Sequence, residues 1–502
     1  MNITVLDEPA LEFAHGGHHI DPRHGIDFYG PADITETAVR VIRVGIVGPQ
    51  ASIDGVKRWL DTCRSIVTAK NSHLGHLYMP FPGFDTDRAF RSTIVWNGRL
   101  ERAIPKRDLD RIASANPLDA TRLAVDIYDT ELQALHEEPN CNVVIVCRPD
   151  TLIDTGTRTR GKTVSHGTTE SPDEPSNDHK QTDTAAHSPE RLTTPLAAGR
   201  GDFHSLLKAR SLRYSQPIQL IRRSTWDPTF KEPKDAEARV KQDEATRAWN
   251  LHTALYYKAG GVPWRLPRAA TDLASCYVGV AFYRSGDQET LETSVAQVFN
   301  QRGDGVIVRG GQARVSKEDR QPHLSEEDAH QLLHDALDKY RREHKQSPAR
   351  IVLHKTSAFT PAETAGFRAA ANEQYIDLIE MMWLRQSERL RLFRRGQQPP
   401  LRGTFLSLDR DRHVLYTRGS IPFYKTYPGM YVPRPLGIRL HDTESSPTEL
   451  ADELLALTKM NWNATQLDGR LPITLRTADK VGEILRHLAP TDLPASRYAF
   501  YM

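Results

Sequence analysis

His204 and Lys208 stand one helical turn apart in the stretch FHSLLKARSLRYSQPIQLIRRS, which begins at Phe203. A hydrogen-bonding ring and a cation at that spacing share one face of a helix. Gln219 follows in the apolar run PIQLI, and Lys258 lies further along in the helical stretch WNLHTALYYKAGG. From Asp202 to Arg223 the cations Lys208, Arg210, Arg213, Arg222 and Arg223 face a single acid. Several such donors around one point could hold a phosphate through charge-assisted hydrogen bonds. The same residues could equally form a solvated basic face, and spacing alone leaves both readings open.

Other motifs carry less chemistry. HGGHH contains His15, His18 and His19, but the spacing fits no common ligand motif and no Cys or carboxylate stands close by; a structured turn before Asp21-Pro22-Arg23 is expected. GIVGPQ and KAGG lack the glycine–lysine spacing of a phosphate loop. Cys63, Cys141, Cys147 and Cys276 form no CxxC pair, which argues against a disulfide framework or a cysteine zinc site and fits a reducing cytosol. The start MNITVLDEPALEF has no export-signal pattern, and no run of 18 apolar residues occurs, so a cytoplasmic chain is expected.

The 502 residues suffice for two to four domains, and 38% hydrophobic with 26% charged residues excludes a disordered or collagen-like chain. With a net charge of only +2, any nucleic-acid binding must come from local clusters. VIRVGIVG at 41–48 and NVVIVCRPD at 142–150 read as buried parallel strands, with a helix between them for which Ser52 is a plausible cap. Residues 155–198 are rich in Thr, Ser, Asp, Pro and Gly, and read as a disordered loop inside one α/β unit. From about Ser275 three strands, a helix capped by Ser325 and Asp328, and a strand ARIVLHKTSAF follow in the order of an RNase H-like sheet. In such a unit anions sit at helix N-termini beyond strand ends, where a helix beginning near His204 would lie. LRQSERLRLFRRG at 384–396 alternates arginines with Leu390, Leu392 and Phe393, as on a half-exposed strand. Trp264 and Trp462 read as core residues.

LEFAHGGHHIDPRHGIDFYGP, FHSLLKARSLRYSQPIQL, LYYKAGGVPWRL and LTKMNWNATQLDGRLPITLRTADKVGEIL together resemble a short prokaryotic Argonaute over essentially the full chain. The resemblance implies an α/β fold with an N-terminal linker-like segment over 1–40, a Rossmann-like MID domain over 41–265 and an RNase H-like PIWI domain over 266–502. It implies that His204, Lys208, Gln219 and Lys258 hold the 5′ phosphate of a short guide RNA. It also implies that Gln219 and the C-terminal carboxylate, here on Met502, hold a Mg²⁺ bridging guide phosphates. Arg389, Arg391, Arg394, Asn461, Asn463 and Arg476 become candidate contacts to the guide and a single-stranded DNA target.

Cutting members of the family place an Asp where CYVGVAFYR carries Ala281, and an Arg-Asp-Gly-like turn where IVLHKTSAF carries His354, Lys355 and Thr356. A methyl group and an ammonium cannot bind Mg²⁺, and Asp287 and Asp304 fall in loops, so a PIWI domain without slicing activity is expected. Family resemblance further implies an APAZ-containing effector partner, sirtuin-like by preference, with a TIR domain or a nuclease as alternatives. The competing readings are a free-standing guide-directed nuclease with substitute metal ligands, and a small-molecule phosphate binder.

Overall fold

A parallel strand covered by helices on both faces has no solvent side, and Val143–Cys147 is accordingly buried at every position. The computed structural model describes residues 2–36, 38–138, 140–152, 202–230, 242–268, 272–284, 291–299, 305–386, 388–427, 429, 432–467, 469–488 and 497–502. The loop expected at 155–198 and the acids Asp287 and Asp304 lie outside the described residues.

The chain is a mixed α/β protein with two main sheets. The smaller is parallel, in the order Thr93–Val95, Val41–Gly48, Val143–Cys147, Ile218–Ile221, with Glu101–Ala103 also pairing on Val41–Gly48. The larger has nine strands. One end of it carries the expected RNase H-like arrangement: Ser275–Arg284, Leu291–Phe299 and Gly305–Gln312 run antiparallel, and Arg350–Lys355 lies parallel to Ser275–Arg284. Beyond Arg350–Lys355 come Leu378–Arg385, Leu436–Asp442, Arg412–Leu415 and Thr404–Ser407. The N-terminal segment does more than link, since Asn2–Val5 adds the last strand beside Thr404–Ser407. Among the described residues no helix is long and apolar enough to cross a membrane.

One helix joins the sheets. Glu244–Lys258 is buried at nearly every position, because ATRAWNLHTALYYK places bulky or small uncharged groups around most of its circumference. Trp249, Leu255 and Tyr256 belong to a core that also contains Ile42 and Val44 of the small sheet and Met382 and Leu384 of the large one. The helix ends where Gly260 adopts φ +102°, a conformation side chains resist, so the chain reverses just after Lys258. At the large sheet, a Cβ on Gly279 would stand 2.4 Å from the Thr474 carbonyl oxygen. Glycine there lets helix Ile473–Leu485 lie directly on strand Ser275–Arg284.

Three local expectations are corrected. Ser52 does not cap its helix: the helix Gln50–Thr62 begins after Pro49, and Ser52 is buried within it. The arginine-rich stretch leaves the sheet at Arg385, and residues 388–400 run irregularly, because Leu390 and Leu392 both turn onto Leu406, Val414 and Tyr416. Ser325 caps helix Glu326–His344 through the Asp328 N–H, but Asp328 returns its carboxylate to the Ser325 hydroxyl and not to the backbone. Trp264 and Trp462 are core residues, as expected.

The N-terminal strand is held by a buried ion cluster. Glu8 accepts from Arg402 at 2.8 Å and from Lys459 at 3.0 Å, and both cations are almost fully enclosed. Arg402 also donates to the main-chain oxygens of Thr417 and Leu455, and Lys459 to that of Pro9. Removing the single acid strands two buried cations, so Glu8→Gln is expected to cost about 3–5 kcal/mol, read as a lower denaturation midpoint. Lys459→Met leaves Glu8 paired with Arg402 and should cost clearly less; equal losses from the two variants would show that Glu8 is not the pivot.

Candidate nucleic-acid interface

Asp202 caps helix Phe203–Ser211 by accepting from the Ser205 N–H at 2.7 Å, which fixes the first turn and His204 within it. Lys208 follows one turn later and points inward, only 1% exposed. Its ammonium group donates to the main-chain oxygen of Met502 and lies 3.5 Å from that of Phe500. From the other side comes Lys258, the last residue of its helix and 3% exposed. Lys258 donates to Gln219 Oε1 at 2.6 Å and to the Ile218 main-chain oxygen at 3.0 Å.

Lys208 and Lys258 are direct neighbours. A continuous row therefore runs from Gln219 through Lys258 and Lys208 to Met502. His204 stands at its edge with a solvent-exposed side chain, and Lys208, Lys480 and Lys258 are all close enough to act on its charge. The structure thus brings His204, Lys208, Gln219, Lys258 and Met502 together from two helices, one strand and the last residues of the chain. Lys480, on helix Ile473–Leu485, joins them; nothing in its local sequence distinguished it from an ordinary surface lysine.

Neither buried lysine pairs with a carboxylate side chain among the described residues. Burial lowers the pKa of Lys208 to about 7, although its hydrogen bond with Lys258 opposes the shift. Burial, and then the Lys208 charge, push Lys258 well below the ordinary lysine range. His204 is lowered by the surrounding protein and then by Lys208. The arrangement is short of negative charge, and an anion is the ligand that completes it. A resident Mg²⁺ does not fit by itself: the Gln219 and Met502 oxygens that would bind it already accept from ammonium groups, and an octahedral oxygen shell is not assembled.

The strand ends of the large sheet present different chemistry. Ala281 is buried in Ser275–Arg284. His354 is buried beside Thr474 Oγ1 at 2.8 Å, and burial lowers its pKa to about 3, which keeps it neutral. Lys355 is 0% exposed and forms a 2.5 Å ion pair with Glu363. That acid was missed, because it lies just beyond the strand in the first turn of helix Pro361–Glu373, where it completes a capping box with Thr360. Its oxygens are engaged by Lys355, His323 and the N–H groups of Leu324 and Thr360. Among the described residues no group of three His, Cys, Asp or Glu side chains is placed to hold a metal.

The remaining candidates are scattered. Asn463 accepts from the Tyr257 hydroxyl at 2.5 Å, and Asn461 accepts from the Asn463 N–H, so both brace the loop beside Lys258. Arg476 is half-buried on helix Ile473–Leu485. Arg391 folds back on the Glu388 and Leu390 carbonyls, whereas Arg389 and Arg394 are exposed.

Because the free lysines favour the neutral form, anion binding must take up protons. In the empty protein the depressed Lys208 pKa means the unfolded chain holds more protons between about pH 7 and about pH 10, so stability rises with pH across that window. Sulfate, whose charge is constant there, is expected to stabilise the protein more at pH 6.5 than at pH 9. Thermal unfolding of the parent and of Lys208→Met/Lys258→Met measures this; a pH-independent sulfate effect, or one retained in the double variant, contradicts it.

A Piwi-domain family model matches residues 202–489, more than half of the chain. No curated protein is recognisably similar in sequence. Among solved structures, the Clostridium butyricum Argonaute bound to a guide DNA and a 19-mer target DNA aligns with a TM-score of 0.59 at 13% identity. That alignment covers 97% of this chain and 53% of that one. A. aeolicus Argonaute aligns with a TM-score of 0.56 at 14% identity over 98% and 54%, and Drosophila Piwi with 0.58 at 12% over 99% and 56%. The chain therefore spans little more than half the length of these proteins while sharing their fold. With the family model covering both the lysine-bearing helices and the large sheet, the chain belongs to the Piwi-domain family.

Proposed function

We propose that this chain is the guide-binding subunit of a short prokaryotic Argonaute system. The observation that carries the reading is the buried row Gln219–Lys258–Lys208–Met502, which concentrates two cations and no side-chain carboxylate at one point. A guide's 5′ phosphate is the anion of that charge and size, and His204 stands at the edge to donate to it. Mg²⁺ would be held at Gln219 and Met502 only together with the guide's own phosphates, since those supply the missing oxygen ligands and offset the ammonium charges. Residues 41–265 act as the MID unit and 266–502 as the PIWI unit in this reading.

The PIWI unit acts as a platform that does not cut. Ala281 and the Lys355–Glu363 pair support this, since a methyl group, an ammonium and a fully engaged carboxylate offer Mg²⁺ no free oxygen. The guide, a short RNA, pairs with single-stranded target DNA, and base pairing reads sequence while the protein holds backbone and shape. Arg389, Arg394 and Arg476 contribute backbone contacts. Pairing then favours one state of an assembly with an APAZ-containing effector, sirtuin-like by preference, whose enzyme acts against the cell carrying invading plasmid or phage DNA.

Each charge-assisted contact contributes about 1.5–3 kcal/mol, so Lys208→Ala/Lys258→Ala is expected to weaken binding of a 5′-phosphorylated guide by about a hundredfold or more. Binding of the 5′-hydroxyl strand should change little. Fluorescence titration with both strands measures the difference, and an unchanged preference for the phosphate removes the pocket assignment. The purified chain with guide, complementary DNA and Mg²⁺ or Mn²⁺ should leave the target intact; cleavage that survives repurification would restore the nuclease reading.

A further inference from the structure

Residues 388–400 cross the surface after the strand Leu378–Arg385. Leu390 and Leu392 anchor this segment on Leu406, Val414 and Tyr416, and the Leu392 N–H donates to the Tyr416 hydroxyl at 2.6 Å. With its neighbour fixed inward, Phe393 is turned out: it is 78% exposed and stacks on no other ring among the described residues. Leaving such a ring in water is unfavourable unless something covers it.

Its surroundings say what that is. Arg394 lines the same cleft as Phe393, and Arg389 and Arg395 on the same segment are exposed. The guanidinium groups of Arg389 and Arg395 have no partner among the described residues, and Arg394 uses Nε on the Gln398 carbonyl and Nη2 on Ser420 Oγ, leaving Nη1. The nearby acid, Glu388, is engaged by Arg439 at 3.3 Å and does not neutralise them. Beside Phe393 a cleft of about 330 Å³ opens, lined also by Arg394, Gln397, Gln398 and Tyr427. Aromatic rings, side-chain amides and Arg394 within one cleft, with Arg389 and Arg395 exposed on the same segment outside it, match the three parts of a nucleotide: a flat base, its polar edge and its phosphate.

We propose that this cleft binds an unpaired nucleotide of a single strand, with the base against Phe393 and the flanking phosphates against Arg389, Arg394 and Arg395. A duplex cannot use the ring, because its bases are already stacked on one another. An acidic peptide would satisfy the arginines but leave the ring and the amides without a role. The site shares no residue with the lysine pocket and does not depend on the guide reading. The arginines keep their phosphate-contact role, and what is added is an unstacked base held against Phe393.

The test uses the full chain, both unaltered and as Lys208→Ala/Lys258→Ala, with 5′-hydroxyl single strands of DNA and RNA of one sequence and the corresponding duplex. In both backgrounds the single strand is expected to bind more tightly than the duplex. Phe393→Ala should weaken it about tenfold, and Phe393→Trp should retain it. Arg389→Ala/Arg395→Ala should lower the slope of log affinity against log salt by about 1.4. Strands carrying 5-iodouracil should crosslink to Phe393 or Tyr427. Parent-like affinity in Phe393→Ala, equal binding of duplex and single strand, or displacement by poly-glutamate as effective as by the strand itself would each overturn the assignment; the last would give the surface to an acidic protein.

Discussion

Two ammonium groups buried side by side, with no side-chain carboxylate among the described residues to receive them, are the constraint on which the rest of this structure turns. Lys208 and Lys258 come from different helices, and each is fixed by its own carbonyl-type acceptor before either meets the other. A protein concerned only with stability would place a carboxylate between them or replace both with apolar groups. Burial lowers the pKa of both lysines, and the lack of a side-chain carboxylate beside them leaves a site that an incoming anion can complete. Binding energy is in this sense stored as an unfavourable electrostatic arrangement of the empty pocket.

The seam between the two sheets is where that arrangement is built. Ala209 and Leu212, just after Lys208, pack with Tyr283 and Ile307 of the large sheet, with Val481 and Leu485 of the overlying helix, and with Phe500 and Tyr501. The pocket therefore senses both halves of the fold at once. A change in how helix Ile473–Leu485 lies on its strand, where Gly279 permits direct backbone contact, would move Lys480 and the final residues relative to Lys208. This is a physical route by which a ligand on the large sheet and a ligand in the pocket can influence each other.

The strand ends of the large sheet hold a cluster of a different kind. Lys355 is covered by Phe282 and Phe359 and paired with Glu363, which also serves as a helix cap and receives His323. His323 bridges Asp319 and Glu363, so its pKa is raised by the two carboxylates against the effect of burial. The result is a closed quartet of Lys355, His323, Asp319 and Glu363 that pins the hairpin Arg314–His323 to the start of helix Pro361–Glu373. Both carboxylates of that quartet are already engaged by neighbouring donors, which is the reverse of the lysine pocket.

Much of this was legible in the sequence. The continuous apolar runs VIRVGIVG and NVVIVC could only be covered parallel strands, and a methyl at Ala281 with an ammonium at Lys355 is visible without coordinates. His204 and Lys208 share a helix face by periodicity alone. Spacing could not say that Lys258 and Met502 converge on the same point, since contacts 292 and 294 residues apart depend on how two sheets dock. It also mistook residues 388–396 for a strand, because alternation of arginine and leucine is satisfied as well by a loop whose leucines find a core elsewhere. Glu363 was overlooked for the same reason: its partner lies across a turn. Residue type and local period thus determined which groups could bind an anion and which could not bind a metal. The tertiary structure decided which of them meet, because burial and like-charge proximity arise only when separate elements close around one point.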